Sequence, residues 1–122
     1  MSLFTVGVTA RSPKDETRIT PVVNALVDSG SELTWLPADL LASAGIVPLR
    51  TRLFLTATRS RVERRVGYAI LSAEGFETID EVVFAEPGDL TLLGVRTLEG
   101  FGVAVDNVNH RLVATSTIVA AA

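Results

Sequence analysis

Cysteine is absent from the 122-residue sequence, and histidine occurs only once, as His110. Without cysteine, the chain can form neither disulfide bonds nor a thiolate nucleophile. A single histidine excludes a multi-histidine metal site within one chain. A serine triad would have to use this one histidine, which lies in a polar, turn-forming segment where we expect an exposed residue. The sequence therefore predicts no metal and no cofactor.

Long apolar runs and strong net charge are also missing. No stretch approaches the roughly 20 apolar residues that a membrane-spanning helix needs, and residues 1–6 do not resemble a secretory signal. The net charge of −3 argues against a general nucleic-acid-binding protein. We therefore expect a cytoplasmic protein that binds neither membranes nor nucleic acids.

The residues that are present follow the pattern of a small β domain. The hydrophobic content of 48% and the chain length predict one domain, residues 1–122, around one core. Several short segments alternate between apolar and polar residues, which is typical of strands. Strands are predicted at residues 3–10, 22–27, 52–57, 62–72, 76–85, 90–93, 102–105 and 111–118. Residues 37–44 and 97–101 are predicted to be short helices, and residues 11–20 an exposed loop.

Two of the predicted strands form a hairpin with a polar tip at residues 58–61. Four arginines lie on this hairpin, at Arg59, Arg61, Arg64 and Arg65. A charged hairpin surface in contact with solvent explains such a cluster, and a patch that recognises acidic residues is the alternative.

The candidate functional site lies in residues 25–37. An apolar strand at residues 25–27 is followed directly by Asp28, so this carboxylate is expected where the chain leaves the core. Gly30 permits a sharp turn with exposed backbone, and Ser29 can hydrogen-bond locally and hold that turn. An ionisable group fixed by rigid structure on both sides is a candidate catalytic residue. A carboxylate that only caps a turn is the alternative.

Two motifs carry a family resemblance. The sequence Leu-Val-Asp-Ser-Gly at residues 26–30, followed by Leu-Pro at 36–37, resembles the catalytic loop of aspartic proteases. The sequence Leu-Leu-Gly at residues 92–94, before a short helical stretch, resembles the segment that precedes the closing helix of retropepsin-like domains. The chain is thus similar to a single-domain retropepsin-like (clan AA) aspartic protease of the bacterial type, over residues 25–113. The resemblance implies an all-β acid protease fold, with closed, barrel-like sheets and one or two short helices.

One aspartate in such a loop is half of a catalytic pair. Aspartic proteases use two carboxylates ~3 Å apart that share one proton, because both cannot ionise at that distance. The other acids of the chain do not repeat the motif, and Leu93 occupies the position at which the second half would need an acid. The sequence therefore predicts a homodimeric endopeptidase in which Asp28 faces the partner subunit's Asp28 on a two-fold axis. The resemblance to retropepsins implies the same arrangement.

The resemblance also implies where a peptide would bind. The hairpin corresponds to the flap that closes over an extended peptide, and Asp28, Ser29 and Gly30 correspond to the catalytic loop. The residues expected to line the substrate pockets are Leu26, Trp35, Ala57, Thr58, Val62 and Leu92. The terminal strands, around residues 3–8 and 113–119, are expected to pair across the dimer.

Other functions and roles stay open at this point. An interaction module that keeps the retropepsin-like fold without proteolysis is one alternative, and a processing enzyme with a single cellular target is another. Trp35 fits a core or interface position as well as a substrate-stacking one. Arg96, near the position of an arginine in retropepsins, is a candidate partner for an acid across the dimer.

Overall fold

The computed structural model describes residues 3–115 and 120–121. Within these residues the chain forms ten strands and two short helices. The strands are β1 (Thr5–Ser12), β2 (Asp15–Ile19), β3 (Val23–Val27), β4 (Thr34–Pro37), β5 (Arg50–Leu55), β6 (Arg61–Ala73), β7 (Phe76–Ala85), β8 (Leu92–Leu93), β9 (Val103–Asp106) and β10 (Arg111–Ala114). The helices are α1 (Ala38–Ser43) and α2 (Val95–Phe101). The prediction of a β protein with one or two short helices is confirmed.

Eight strands form one sheet in the order β2-β1-β3-β8-β4-β7-β6-β5. Strand β1 also pairs with β6, so the sheet curls and closes in part, as a barrel does. Strands β2 and β5 lie outside this closure and extend the sheet as edge strands. Strands β9 and β10 form a separate two-stranded sheet.

The core lies inside the partly closed sheet. The predicted inward face of the first strand is confirmed, since Phe4, Val6, Val8 and Ala10 are at most 8% exposed. Period-two alternation places every second side chain on one face of a strand, and burial of that face stabilises the sheet. The same cluster includes fully or nearly fully buried residues from β4, α1, β6, β7, β8 and α2, at Leu36, Leu41, Leu71, Phe84, Leu93 and Leu98.

Two strands are not among the predicted ones: β4, at residues 34–37, and β2. An exposed loop is predicted at residues 11–20, but β2 pairs there with β1 as an antiparallel hairpin. All five residues of β2 are exposed, so this strand contributes nothing to the core and carries no apolar alternation. The Thr20 hydroxyl accepts a hydrogen bond from the Ala10 N–H at 3.0 Å and closes the hairpin.

The ends of several elements also shift. Helix α2 begins at Val95 rather than at the predicted residue 97, and it ends at Phe101 before Gly102, whose φ of 72° lies in the left-handed region that glycine favours. Strand β8 is only two residues long. The last strand is predicted at residues 111–118, whereas β10 ends at Ala114. Residues 116–119 lie outside the described residues, and so does most of the segment expected to pair across a dimer.

Candidate active site

Asp28 directly follows β3, which lies between β1 and β8 in the sheet. Its backbone N–H donates to the Leu93 carbonyl at 3.0 Å, and the preceding Val27 N–H donates to the Phe4 carbonyl at 2.9 Å. Backbone hydrogen bonds to strands on both sides therefore fix the place at which the chain leaves the sheet. The half-buried Asp28 lies at this point, just after the end of β3.

The turn after Asp28 is held mainly by the aspartate itself. One carboxylate oxygen, Oδ1, accepts the Gly30 N–H at 2.9 Å, and the Asp28 carbonyl accepts the Ser31 N–H at 3.1 Å. A Cβ atom at residue 30 would lie 3.1 Å from the same Oδ1, so any residue other than glycine would crowd this oxygen. The exposed Ser29 is not the serine that bonds in this loop, because the hydroxyl of Ser31 donates to the Leu33 carbonyl at 2.8 Å.

The loop packs against the start of α2. The Val95 N–H donates to the Ser31 carbonyl at 2.8 Å, and the Arg96 N–H donates to the Glu32 carbonyl at 3.1 Å. The backbones approach so closely that a Cβ atom on Gly94 would lie 2.4 Å from the Leu33 carbonyl oxygen. Glycine is therefore required in the Leu-Leu-Gly motif, since any side chain would push the two loops apart.

Below these loops lies a buried network of hydrogen-bonded polar groups. The Thr34 hydroxyl accepts the Gly94 N–H at 3.0 Å and lies 2.6 Å from the Thr97 hydroxyl, which donates to Asp80 at 3.0 Å. Thr34 and Thr97 are fully buried. The sequence does not reveal this network, because two hydroxyl partners more than 60 positions apart leave no local pattern.

Asp80 and Glu81 connect this network to a cluster of ion pairs. Glu81 accepts hydrogen bonds from Arg50 at 2.8 Å, from Arg52 at 3.3 Å and from Arg96 at 3.3 Å. Burial raises the pKa of Glu81, but the hydrogen bonds and charges of the arginines, Arg50 first, outweigh it and lower that pKa overall. Arg96 also lies 3.4 Å from Asp80. Within its own chain Arg96 thus pairs with two acids, and its pairing with an acid across a dimer stays a prediction.

A cleft of about 920 Å³ opens between the Asp28 loop and the hairpin formed by β5 and β6. Of the residues expected to contact substrate, Asp28 and Gly30 line this cleft together with Trp35, Ala57, Thr58, Val62 and Leu92. Two expected residues do not line it, Leu26 and Ser29. Leu26 lies two residues before Asp28 within β3, between its register partners Thr5 and Leu92.

The cleft walls are largely apolar. Trp35 on the floor contacts Phe54 of the hairpin edge to face, with ring centroids 5.0 Å apart, and both rings are half-buried. Sequence reasoning missed Phe54, and it also missed four further apolar lining residues, Leu33, Leu53, Leu55 and Leu90. The apolar run Leu-Phe-Leu at residues 53–55 is typical of a strand but does not say that both faces of the strand border a cleft.

The hairpin tip is closed without glycine. The Thr56 N–H donates to the Ser60 carbonyl at 2.9 Å, and the Thr56 hydroxyl accepts the Ser60 N–H at 3.1 Å. Arg59 takes a φ of 64° at the turn, a conformation in which glycine is the usual residue. The predicted polar tip is thus confirmed, and its position beside the cleft comes from the pairing of β5 with β6.

A second contact joins the hairpin to the opposite rim of the cleft. The guanidinium of Arg64 on β6 donates to both carboxylate oxygens of Asp89, at 2.6 and 2.8 Å. Asp89 also accepts the Glu86 N–H at 2.8 Å. The two paired side chains are only 15% and 17% exposed, so the pair is partly shielded from water.

The described residues contain no group of three or more His, Cys, Asp or Glu side chains placed to hold a metal ion. His110 lies in the turn between β9 and β10, exposed as expected, with its ring stacked on Phe4 at 5.2 Å. Neither α1 nor α2 is long and apolar enough to cross a membrane.

Comparison with known proteins adds no relative. No family model matches the sequence, and no curated protein matches it. A function for this chain therefore has to be argued from its own residues.

Proposed function

We propose that the protein is an aspartic endopeptidase that works as a homodimer, with one catalytic aspartate, Asp28, from each subunit. The observation that carries the proposal is the position of Asp28. Asp28 lines a cleft of about 920 Å³, in a turn that backbone hydrogen bonds hold on both sides. Such preorganisation is what a catalytic carboxylate requires.

The need for two subunits follows from the acids in the cleft. Besides Asp28, the acidic residues that line it are Glu32 and Asp89. Asp89 is occupied by Arg64, and Glu32 lies in the loop that continues from Asp28, so neither repeats the strand-end position of Asp28. The exposed Ser29 and Gly30 leave the tip of the Asp28 loop open to a second copy. A two-fold axis at this tip would bring two identical carboxylates together.

The chemistry then follows from a shared proton. With oxygens ~3 Å apart, one carboxylate is ionised and the other is protonated. The ionised Asp28 takes a proton from a water between them, and that water attacks the peptide carbonyl carbon. The protonated Asp28 donates a hydrogen bond to the carbonyl oxygen and stabilises the tetrahedral intermediate. The C–N bond then breaks as the nitrogen receives the proton that the first Asp28 took from the water. Two peptides form, and no acyl-enzyme is made.

The hairpin and the floor supply the binding surface. An extended peptide presents alternate side chains to opposite walls, where Trp35, Leu92 and Val62 offer apolar contacts. Ala57 and Thr58 at the hairpin tip are exposed and lie over the cleft rim. These are the positions from which the hairpin would cover a bound peptide.

A cleavage assay tests the proposal. A mixed peptide library is incubated with the wild-type protein, with Asp28→Asn, and with Asp39→Asn, an exposed acid of α1 outside the cleft. We expect cleavage by the wild type and by Asp39→Asn, and loss of at least about a thousandfold for Asp28→Asn, as for other essential catalytic groups. The specific activity should fall on dilution as the dimer dissociates.

Two results would contradict the proposal of a homodimeric endopeptidase. Equal signals from wild type and Asp28→Asn would favour the non-proteolytic interaction module instead. Full specific activity from a monomer at high dilution would show that cleavage does not need an aspartate pair shared between two subunits.

A further inference from the structure

The ion-pair cluster beside the cleft carries more positive than negative charge. Three guanidinium groups, from Arg50, Arg52 and Arg96, surround two carboxylates, from Asp80 and Glu81. Both carboxylates are nearly buried, with side chains 7% and 6% exposed. Both carboxylates are already paired within the cluster, so three guanidinium groups face two acids and one of the three is left without a carboxylate of its own among these five residues.

Arg52 is the arginine of this cluster that faces the cleft. It is also the most weakly held, because it reaches Glu81 through Nη1 alone, at 3.3 and 3.4 Å. Arg50 holds the same carboxylate at 2.8 Å. A guanidinium has five N–H donors in a planar fork. Within the described residues, the donors on Nε and Nη2 of Arg52 make no hydrogen bond, and its side chain is 35% exposed.

The surroundings of Arg52 favour an anionic ligand. Its guanidinium lies 5.9 Å from the centre of the Phe54 ring, so an apolar wall borders it on the cleft side and keeps the local dielectric low. Arg64 does not line the cleft and is already bound in a two-pronged pair with Asp89 on its rim. A planar fork with free donors beside a half-buried ring is suited to a carboxylate.

We propose that Arg52 is a specificity-determining residue that binds the carboxylate of an acidic side chain in the peptide substrate. This inference rests on the proposed function of the cleft as a peptide-binding site. Arg52 lies five residues before Ala57 at the hairpin tip, which is about 17 Å along an extended strand. The acidic side chain is therefore selected towards one end of the bound peptide, away from the part covered by the tip.

A matched peptide series tests the assignment. One glutamate, or one glutamine in its place, is moved through each position of a peptide that the protein cleaves, and kcat/KM is measured for each pair. At one position away from the cleaved bond, we expect the wild type to prefer glutamate about fivefold to tenfold. Arg52→Gln should bring that ratio close to one. Arg61→Gln is the matched control, since Arg61 is an exposed arginine of the same hairpin that does not line the cleft.

Arg52→Gln is expected to fold, because Glu81 keeps its contacts with Arg50 and Arg96. Arg52→Lys serves as a second variant, which keeps the charge and should retain part of the preference. The assignment is overturned if the wild type shows no preference at any position. It is also overturned if Arg52→Gln keeps the wild-type ratio, or if Arg61→Gln loses it equally.

Binding separates this inference from the proposed chemistry. The same peptides are titrated onto Asp28→Asn with and without Arg52→Gln. If nothing is cleaved but Asp28→Asn binds the glutamate peptide better, and Arg52→Gln removes the difference, then the endopeptidase fails and the role of Arg52 stands. If peptides are cleaved with no glutamate preference, the endopeptidase stands and the role of Arg52 fails. Absence of both cleavage and binding overturns both.

Discussion

The ion pair between Arg64 and Asp89 should tie the hairpin to the far rim of the cleft. The pair joins β6 to the turn between β7 and β8, so the hairpin has an anchor beyond its pairing with β7. Replacement of Asp89 by asparagine keeps the size of the side chain and removes its charge. We expect this change to weaken the anchor and to destabilise the whole domain, because the arginine would remain partly shielded without its counter-charge.

The size of the effect follows from geometry and burial. Asp89 loses two charge-assisted hydrogen bonds, at 2.6 and 2.8 Å, in a pair that is 15% and 17% exposed. Charge-assisted hydrogen bonds are worth about 1.5–3 kcal/mol, and partial exposure puts this pair near the lower end. A loss of about 2 kcal/mol should lower the melting temperature by roughly 8 °C for a domain of this size. Glu86→Gln is the control, since Glu86 lies 3.9 Å from the same arginine and its side chain is 55% exposed.

The same pair predicts a pH dependence. The hydrogen bonds from Arg64 lower the pKa of Asp89, burial opposes them, and the Glu86 N–H adds to the lowering. A carboxylate with a lowered folded-state pKa contributes stability that is fully present above its unfolded pKa of about 4. That contribution is lost as the pH falls through the folded-state pKa. The stability difference between wild type and Asp89→Asn should therefore be constant from pH 7 to 5 and shrink at lower pH.

Urea denaturation of wild type, Asp89→Asn, Arg64→Met and the double variant measures both effects. We expect a coupling free energy of about 1 kcal/mol or more at pH 7. Equal stability of wild type and Asp89→Asn, or a coupling near zero, would show that water screens the pair and that the hairpin is not anchored here. A stability difference that grows below pH 4 would refute the direction of the pKa shift.

Three other changes test the core and the loops below Asp28. Gly94→Ala should lower the free energy of unfolding by at least about 2 kcal/mol, since its Cβ would lie 2.4 Å from the Leu33 carbonyl oxygen; an unchanged urea midpoint would contradict this. Thr34→Val leaves the Gly94 N–H without its acceptor in a buried site and should cost about 1–3 kcal/mol by the same measurement. Leu71→Ala empties a fully buried position and should cost about 2–5 kcal/mol, whereas Leu55→Ala, 69% exposed, should change stability by less than about 0.5 kcal/mol.

The parts of the fold that follow from sequence are those governed by local rules. Strand β7 is predicted at its observed bounds, because alternation and the turns on either side define it. Helix α1 follows from Pro37 before it and from Gly45 after it, where φ is 77°. The turn at Asp28 is likewise local, since Gly30 and the carboxylate are two residues apart.

The parts that do not follow depend on contacts between distant residues. Strand β2 is an exposed edge that only its pairing with β1 reveals. Leu26 is predicted to be a cleft residue because it is close to Asp28 in sequence, but it does not line the cleft. Arginine carries no sequence signal for its partner, so the pairs of Arg96 with Asp80 and Glu81 of its own chain are not predicted.

Arg96 links the two walls of the cleft through different groups of the same residue. Its backbone N–H holds the Glu32 carbonyl, just after the Asp28 turn, while its guanidinium holds Glu81, which binds Arg50 and Arg52 of β5. The apolar contact between Trp35 and Phe54 crosses the same gap. The distance between the aspartate loop and the base of the hairpin is thus fixed by polar contacts at one residue and by ring packing at another. The loop at residues 56–60 lies beyond both contacts, so in the proposed endopeptidase this loop is the part of the hairpin that would move over a peptide.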